Sequence, residues 1–324
     1  MKVSPIRTPA DLIYSYEINV GLQSQVNTHR KIIKEIVAGT NSTYKKMIVV
    51  GPCSIHNPQE AIEYGKQLAE LQKEIGDKFL LVMRVYFEKP RTTVGWKGLV
   101  NDPRMDGSFE IEEGIKQARE LCIELLKLGL PLATEVLDPF TIKYLTGIFS
   151  WVAIGARTTE SQTHREIASG LPMAVGFKNG TSGDIQVAFD AMESARYPHS
   201  YLGISMDGKI SRITADGNKN THIILRGGKN CNGYIPMYSK KFCEALGVRA
   251  MVDCSHANAM GDFKNQIEVA KSAIQAENVF ALMIESNIFE GNQRLIDPKD
   301  LKPGVSITDA CLGMQDTINL IKDL

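Results

Sequence analysis

Eight short apolar runs recur along the chain after residue 46, and longer segments with helical spacing separate them. Apolar residues in those segments recur every three or four positions, as in PQEAIEYGKQLAELQKEI (58–75), which is typical of amphipathic helices. Alternation of this kind predicts parallel strands covered by helices. Eight units favour a closed (β/α)8 barrel over an open doubly wound sheet, so we expect an α/β TIM barrel. The predicted strands are 47–51, 79–85, 132–136, 151–155, 173–177, 222–226, 250–254 and 280–285.

Two segments lie outside this repeat. Residues 1–45 precede the first predicted strand, and YLGISMDGKISRITADGNKNT (201–221) contains Asp-Gly pairs at 207–208 and 216–217, which are typical of β-hairpin turns. No internal repeat, low-complexity tract or Pro/Ser-rich linker divides the chain. We therefore expect one domain over residues 1–324, with an N-terminal extension (1–45) and an inserted hairpin (201–221).

Charge and hydropathy narrow the class of protein. Lys and Arg number 37, as do Asp and Glu, so the chain lacks the basic excess typical of nucleic-acid-binding or membrane-surface proteins. The sequence contains neither the apolar core of a signal peptide nor a run of about 18 apolar residues. We expect a cytoplasmic protein without a nucleic-acid or membrane partner. In that reducing compartment its six cysteines should be free thiols.

The active site of such a barrel lies at the carboxyl ends of the strands. Reading the strand ends in order gives mostly charged residues, which divide into a cationic set and a set of potential metal ligands. Asp309 joins them from the start of the last predicted helix. The residues are Cys53, Arg84, Glu135, Arg157, Lys178, Arg226, His256, Glu285 and Asp309.

The cationic set predicts an anionic ligand. Arginine binds carboxylate or phosphate through paired hydrogen bonds and lysine adds a compact charge, so phosphorylated or carboxylated metabolites suit this mouth. A single arginine would more often be a surface ion-pair partner, but the convergence of six cations on one face favours a binding site. The six are Arg84, Lys89, Arg91, Arg157, Lys178 and Arg226.

The second set is Cys53, His256, Glu285 and Asp309. A thiolate, an imidazole and two carboxylates suit Mn²⁺, Fe²⁺, Co²⁺ or Zn²⁺ better than Mg²⁺ or Ca²⁺. Considered alone, a cysteine such as Cys53 is more often a small buried apolar residue than a metal ligand. It could also be a nucleophile with His256 as its base, although nearby carboxylates disfavour thiolate formation.

Several motifs resemble one family, the aldolase-like 3-deoxy-D-arabino-heptulosonate 7-phosphate (DAHP) synthases, in the branch of the aromatic-amino-acid-regulated enterobacterial enzymes. The resemblance spans residues 47 to 318 with the motifs in order. They are GPCSIH (51–56), KPRTTVGWKG (89–98), GARTTESQTHRE (155–166), VGFKNGT (175–181), HIILRGG (222–228), DCSHAN (253–258), IESNIFEGNQ (284–293) and SITDAC (306–311).

The resemblance implies a metal-dependent condensation of phosphoenolpyruvate with erythrose 4-phosphate on a TIM barrel, the first step of the shikimate pathway. It implies one divalent ion, with Cys53, His256, Glu285 and Asp309 as ligands, and a water positioned by Glu135. Lys178 would also act as a general acid or water orienter. Erythrose 4-phosphate would be held by Arg91 and Thr92, and phosphoenolpyruvate by Arg84, Lys89, Arg157, Lys178 and Arg226.

Two other functions remain open from the sequence. A 3-deoxy-D-manno-octulosonate 8-phosphate synthase uses the same barrel with phosphoenolpyruvate and arabinose 5-phosphate. Its loop after the second strand resembles KANRTS, whereas this chain has KPRTTVGWKG. A non-catalytic regulatory barrel is the other alternative, and it is disfavoured because every metal- and anion-binding position is present.

Regulation is where the chain departs from the resemblance. In the matching branch an aromatic amino acid binds near segments that correspond here to residues 1–20, 138–142, 169–172 and 201–221. Pro139 and Pro172 occur in these segments, and proline removes a backbone donor and fixes φ. We expect a homodimer or homotetramer with a possible aromatic amino acid effector, which the sequence does not name.

Overall fold

The computed structural model describes residues 3–91 and 93–324. Its helices are α1 (Pro9–Ser15), α2 (Val20–Ala38), α3 (Pro58–Ile75), α4 (Ile111–Lys127), α5 (Thr141–Tyr144), α6 (Gln162–Ser169), α7 (Gln186–Ala195), α8 (Lys240–Ala245), α9 (Gln266–Ala273) and α10 (Met314–Asp323). Its strands are β1 (Met47–Gly51), β2 (Leu80–Arg84), β3 (Leu132–Glu135), β4 (Trp151–Ile154), β5 (Ala174–Lys178), β6 (His199–Ile204), β7 (Ile210–Ala215), β8 (Thr221–Leu225), β9 (Gly228–Asn230), β10 (Gly233–Ile235), β11 (Ala250–Asp253), β12 (Val279–Asn287) and β13 (Leu312–Gly313).

Eight parallel strands form a closed barrel. They pair in the order β1-β2-β3-β4-β5-β8-β11-β12, and β1 pairs with β12 from Met47↔Ala281 to Gly51↔Glu285, which closes the ring. The short strand β13 pairs with the end of β12 outside this ring. The predicted TIM barrel and its eight strands are therefore confirmed. Their continuous apolar runs reflect burial on both faces, inside the barrel and beneath the helices.

Helix α2 covers the amino end of the barrel. It begins at an Asn19 cap that accepts a hydrogen bond from the N–H of Leu22, and ends at Gly39 in the left-handed conformation, both typical of helix ends. Its buried Ile33 and Ile36 pack on the side chains that fill the barrel interior. Arg249 ties the end of α2 to the barrel by donating to the carbonyls of Ile36 and Val37. The N-terminal extension thus seals the end opposite the strand carboxyl ends.

The inserted hairpin is β6 and β7, which pair from His199↔Ala215 to Ile204↔Ile210. Asp207 and Gly208 lie in the turn between them, as predicted. The second Asp-Gly pair does not form a hairpin turn. Gly217 (φ 90°) lies in the connection to β8, so the hairpin covers 199–215 rather than 201–221. A shorter hairpin, β9–β10, follows β8 and was not predicted.

Within the described residues, none of the helices is both long and apolar enough to cross a membrane. All six cysteines are free thiols, as expected. The assignment of residues 1–324 to a single domain stays a prediction.

Candidate active site

A cavity of about 630 Å³ opens at the carboxyl ends of the barrel strands. Its walls include all six predicted cations together with Glu135, His256, Glu285 and Asp309. Cys53 lies beneath this wall, in contact with Asp309. The structure therefore brings the predicted site residues together, apart from Thr92, which lies outside the described residues.

Three of the four predicted metal ligands form a compact group. Donor atoms of Cys53, Glu285 and Asp309 all lie within 4.8 Å of one another. Cys53 follows β1 and Glu285 lies in β12, which are neighbours in the closed ring. Asp309 reaches the group from the segment before β13, not from the start of the last helix as predicted, because α10 begins only at Met314. Its side chain is 66% exposed at the open end of the cavity. One thiol and two carboxylates fit a mid-series divalent ion.

The Cys53 thiol has a raised pKa. Burial, followed by the charge of Glu285, raises the pKa of Cys53 to about 11, against an opposing contribution from Lys89. A thiol with this pKa is mostly protonated at neutral pH and is a weak nucleophile. Its geometry fits a ligand better, because a bound cation would replace the proton.

His256 lies in the cavity wall but is not part of the compact group of donor atoms. Its backbone is in the left-handed region (φ 55°), which is uncommon outside glycine and re-aims the side chain just after β11. Its Nδ1 lies 3.0 Å from Asp253 Oδ2 and 2.7 Å from Ser255 Oγ. Nε2 is therefore the atom that can serve as a ligand.

Acidic groups at the site pair with two of the cations. Arg84 Nη2 lies 2.9 Å from Glu285 Oε1, and Lys89 Nζ lies 3.8 Å from Asp309 Oδ2 and 3.1 Å from Cys53 Sγ. Burial lowers the pKa of Lys89, but the nearby charges of Glu285 and Asp309 help to outweigh it and leave the pKa raised. Lys89 is thus a cation at neutral pH. These pairs offset the repulsion between neighbouring cations.

Arg84 is held rigidly at the end of β2. Its guanidinium donates to the carbonyls of Pro52 and Cys53 and lies over the Tyr86 ring, 3.5 Å from the centroid. The same side chain therefore contacts the backbone that carries Cys53 and the carboxylate of Glu285. A change in its position would disturb both the cationic set and the metal-ligand group.

Gly155 leaves room beside the Glu135 carboxylate. A Cβ on Gly155, at the end of the adjacent strand, would lie 2.5 Å from Glu135 Oε1. Glycine at this position leaves room for the carboxylate to reach the cavity, where Arg157 and Arg226 form the adjoining wall. The arrangement places an acceptor among cations, which suits a residue that orients water.

Asp253 is a site residue that the sequence analysis missed. It is fully buried at the end of β11, and Oδ2 lies 2.9 Å from Nζ of Lys178. Burial opposes ionisation, but the charges of His256 and Lys178 hold the pKa of Asp253 well below its usual range. A carboxylate ending the apolar run AMVD was a signal in the sequence, but only its position in the structure shows that it contacts both partners.

The fold and site define a (β/α)8 barrel whose open end is lined by cations and carries a group of potential metal ligands. The sequence model of the DAHP synthetase I family matches residues 18–322, and the chain belongs to this family.

Named relatives extend over the whole chain. A Tyr-sensitive phospho-2-dehydro-3-deoxyheptonate aldolase of Salmonella typhimurium is 48% identical over 98% of this chain and 92% of its own. The Phe-sensitive enzyme of Escherichia coli is 44% identical over 100% of this chain and 94% of its own. The structure of the Francisella tularensis enzyme has a TM-score of 0.93 and 41% identity, and the match covers 99% of this chain and 96% of that one.

Proposed function

We propose that this chain condenses phosphoenolpyruvate with D-erythrose 4-phosphate and water to give 3-deoxy-D-arabino-heptulosonate 7-phosphate and phosphate, the first step of the shikimate pathway. The observation that carries this proposal is the single cavity that joins six cations to a Cys/Glu/Asp group, in a member of the DAHP synthetase I family. Two phosphorylated substrates and one carboxylate explain why so many cations face one mouth.

A divalent ion fits this site because Cys53, Glu285 and Asp309 present soft and hard donors within 4.8 Å, and His256 can add its Nε2. When bound, such an ion supplies Lewis-acid polarisation of the aldehyde oxygen. Mn²⁺, Fe²⁺, Co²⁺ and Zn²⁺ all suit this donor set. Free cysteines throughout the chain favour a reducing compartment, the cytoplasm.

The chain's own residues would hold the two substrates face to face. Arg84, Lys89, Arg157, Lys178 and Arg226 would bind phosphoenolpyruvate, and Arg91 the phosphate of erythrose 4-phosphate. Carbon 3 of phosphoenolpyruvate then bonds to the aldehyde carbon, whose oxygen gains a proton, and carbon 2 becomes electron-poor. A water held by Glu135 adds to carbon 2 and loses a proton. The bond between carbon 2 and the phosphate oxygen then breaks as the new hydroxyl on carbon 2 becomes the ketone, and the departing phosphate takes up the hydroxyl proton.

Lys178 is suited to a proton-transfer role as well as to charge binding. Its ammonium is almost fully buried and is fixed 2.9 Å from Asp253 Oδ2, so its position in the cavity wall is defined. We propose that it acts as the general acid or orients the attacking water. Loss of such a group typically costs about 10²–10⁴-fold in rate.

An assay of phosphate release in the presence of both phosphoenolpyruvate and erythrose 4-phosphate tests the function. The metal-stripped protein should be inactive and should recover with Mn²⁺, while Cys53→Ala should stay inactive in metal-supplemented buffer. Cys122→Ala is the matched control, because this thiol is buried in α4 away from the site. Full activity of Cys53→Ala would exclude the ligand role. Absence of activity in the parent with every metal would favour a non-catalytic barrel.

Lys178→Met separates catalysis from metal binding. We expect turnover to fall by about 10²–10⁴-fold while the affinity for Mn²⁺ persists, because the thiol and carboxylate ligands remain. Near-normal turnover would exclude the proton-transfer role. Arabinose 5-phosphate in place of erythrose 4-phosphate tests the alternative octulosonate synthase, which would use it in preference.

An aromatic amino acid is the proposed effector. A pocket of about 410 Å³ is lined by residues from three of the segments predicted for effector binding, 138–142, 169–172 and 201–221. Phe140, Leu171 and Tyr201 give it an apolar wall, and Pro139 and Pro172 both line it. Relatives are named Tyr-sensitive and Phe-sensitive, which supports this ligand class.

Initial rates with added phenylalanine, tyrosine or tryptophan test the effector. At least one should inhibit, and Phe140→Ala should weaken that inhibition without changing the uninhibited rate. Inhibition by none of the three would exclude the proposal.

We further propose a homodimer or homotetramer in which a second copy covers the hairpin β6–β7. Leu202 and Ile210 on this hairpin are 80% and 76% exposed, and an isolated two-stranded hairpin is only marginally stable. The N–H of Ala10 donates to the carbonyl of Met206, so the N-terminal extension adjoins this apolar surface. Light scattering after size exclusion should give two or four chains, and Leu202→Asp should lower that number; a monomeric parent would refute the proposal.

A further inference from the structure

Asp253 links two predicted functional groups through a single oxygen atom. Its Oδ1 accepts hydrogen bonds from the backbone N–H and the hydroxyl of Ser255, at 3.0 and 2.7 Å. Its Oδ2 lies 2.9 Å from Lys178 Nζ and 3.0 Å from His256 Nδ1. The four contacts hold a carboxylate that has no exposed surface between a potential metal ligand and a potential general acid.

The contacts of Ser255 determine which nitrogen of His256 carries the proton. A hydroxyl has one hydrogen, and Ser255 donates it to Asp253 Oδ1. The Ser255 oxygen therefore faces His256 Nδ1 with lone pairs, at 2.7 Å. Asp253 Oδ2 is an acceptor as well, so both neighbours of Nδ1 require an N–H there. The lone pair of Nε2 is then left to bind a cation.

Lys178 depends on the same carboxylate. Its side chain is nearly fully buried at the end of β5, and a buried ammonium is stable only when it is paired. Asp253 supplies the pair and fixes the position of Nζ in the cavity wall. Because Oδ2 is shared, a shift of this atom would move the imidazole and the ammonium together.

We propose that Asp253 is a positioning residue that orients His256 for metal binding and holds the Lys178 ammonium at the place of proton transfer. The His256 part concerns metal binding alone. The Lys178 part rests on the proposed function, because it concerns turnover.

Asp253→Asn tests both parts. An amide has only one acceptor oxygen, so its NH₂ group must face either the backbone N–H of Ser255 or the Lys178 and His256 donors, and the negative charge that pairs with the Lys178 ammonium is lost. In a calorimetric titration of the metal-free protein with Mn²⁺ and no substrate, we expect the Kd to rise about 10–100-fold. At saturating Mn²⁺, kcat for phosphate release should still be at least about tenfold below the parent, because Lys178 is misplaced.

Cys254→Ala is the matched control. This neighbouring thiol packs in the apolar layer between the barrel and its helices. Its removal therefore changes stability without changing the contacts of Lys178 or His256. An Asp253→Asn protein with the Kd and kcat of Cys254→Ala would overturn the proposal. A raised Kd with parental kcat at saturating Mn²⁺ would overturn the Lys178 part.

Ser255→Ala keeps the proposal testable if Asp253→Asn does not fold. It preserves the carboxylate but removes one acceptor from Nδ1 and one donor from Oδ1, so the Kd for Mn²⁺ should rise several-fold. An unchanged Kd would overturn the His256 part. A parent that releases no phosphate would refute the proposed function, while the Mn²⁺ titration would still decide the role of Asp253 toward His256.

Discussion

Glu88 should make the stability of this protein depend on pH in the opposite direction to an ordinary carboxylate. The side chain is only 6% exposed and accepts a 3.3 Å hydrogen bond from Thr141 Oγ1. Burial, followed by the charge of Asp138, raises its pKa from 4.5 to about 8. The folded protein therefore holds a proton that the unfolded chain releases. Between these two values the folded state binds more protons, so the free energy of unfolding falls as pH rises.

The magnitude follows from the two pKa values. Each pH unit between 4.5 and about 8 corresponds to ~1.4 kcal/mol, which gives an upper limit of about 5 kcal/mol. Water reaching the ionised carboxylate would reduce this limit. Glu88→Gln has a similar shape and no proton to lose, so it should escape the penalty. We expect it to gain at least ~2 kcal/mol relative to the parent between pH 5 and pH 9.

Urea unfolding followed by circular dichroism across this pH range measures the difference. Other titrating groups are common to both proteins and cancel in the comparison. Glu70→Gln, at an exposed position on α3, is the control and should differ from the parent by a constant amount. A Glu88→Gln difference that is also constant over the pH range would refute the reasoning.

Three further predictions concern the fold and the substrate loop. Ile33→Ala should lower the free energy of unfolding by ~2–5 kcal/mol, because this α2 side chain is fully buried at the amino end of the barrel; an unchanged urea midpoint would contradict that. Gly98→Ala should raise KM for erythrose 4-phosphate at least about tenfold, because φ is 122° and a Cβ would collide with the Phe87 carbonyl. A parental KM would show that the loop tolerates the change. Arg119→Met should lower the free energy of unfolding by ~1–3 kcal/mol and speed proteolysis of the N-terminal extension. The reason is that Arg119 donates to three carbonyls at the ends of α1 and α5. A proteolysis rate equal to that of the parent would exclude this anchoring role.

Local sequence patterns predicted the barrel because each pattern reflects a local physical constraint. A parallel strand buried on both faces must be apolar along its length, so all eight runs were recognisable. The Asp207-Gly208 turn was predicted for a similar reason. The second pair, at Asp216 and Gly217, shows the limit of such a signal, since a turn motif does not specify which strands it joins.

Some helices could be predicted from the sequence, whereas others could not. Segment 58–75 has the full periodicity and is α3 with the same bounds. In contrast, α5 has only four residues, too few for a helical period to appear. Its position is fixed instead by contacts of Arg119 with carbonyls near its end, and no sequence pattern reports such contacts.

The sequence by itself determined which charged residues lie at the end of each strand, and therefore which residues face one cavity. Only the tertiary structure decided how those residues are paired. Arg84 contacts Glu285 and Lys178 contacts Asp253 across 201 and 75 positions of the chain. Closure of the ring between β1 and β12 brings Glu285 to Arg84, and the strand order β5-β8-β11 brings Asp253 to Lys178. A local pattern, in contrast, constrains a residue only relative to its neighbours in the chain.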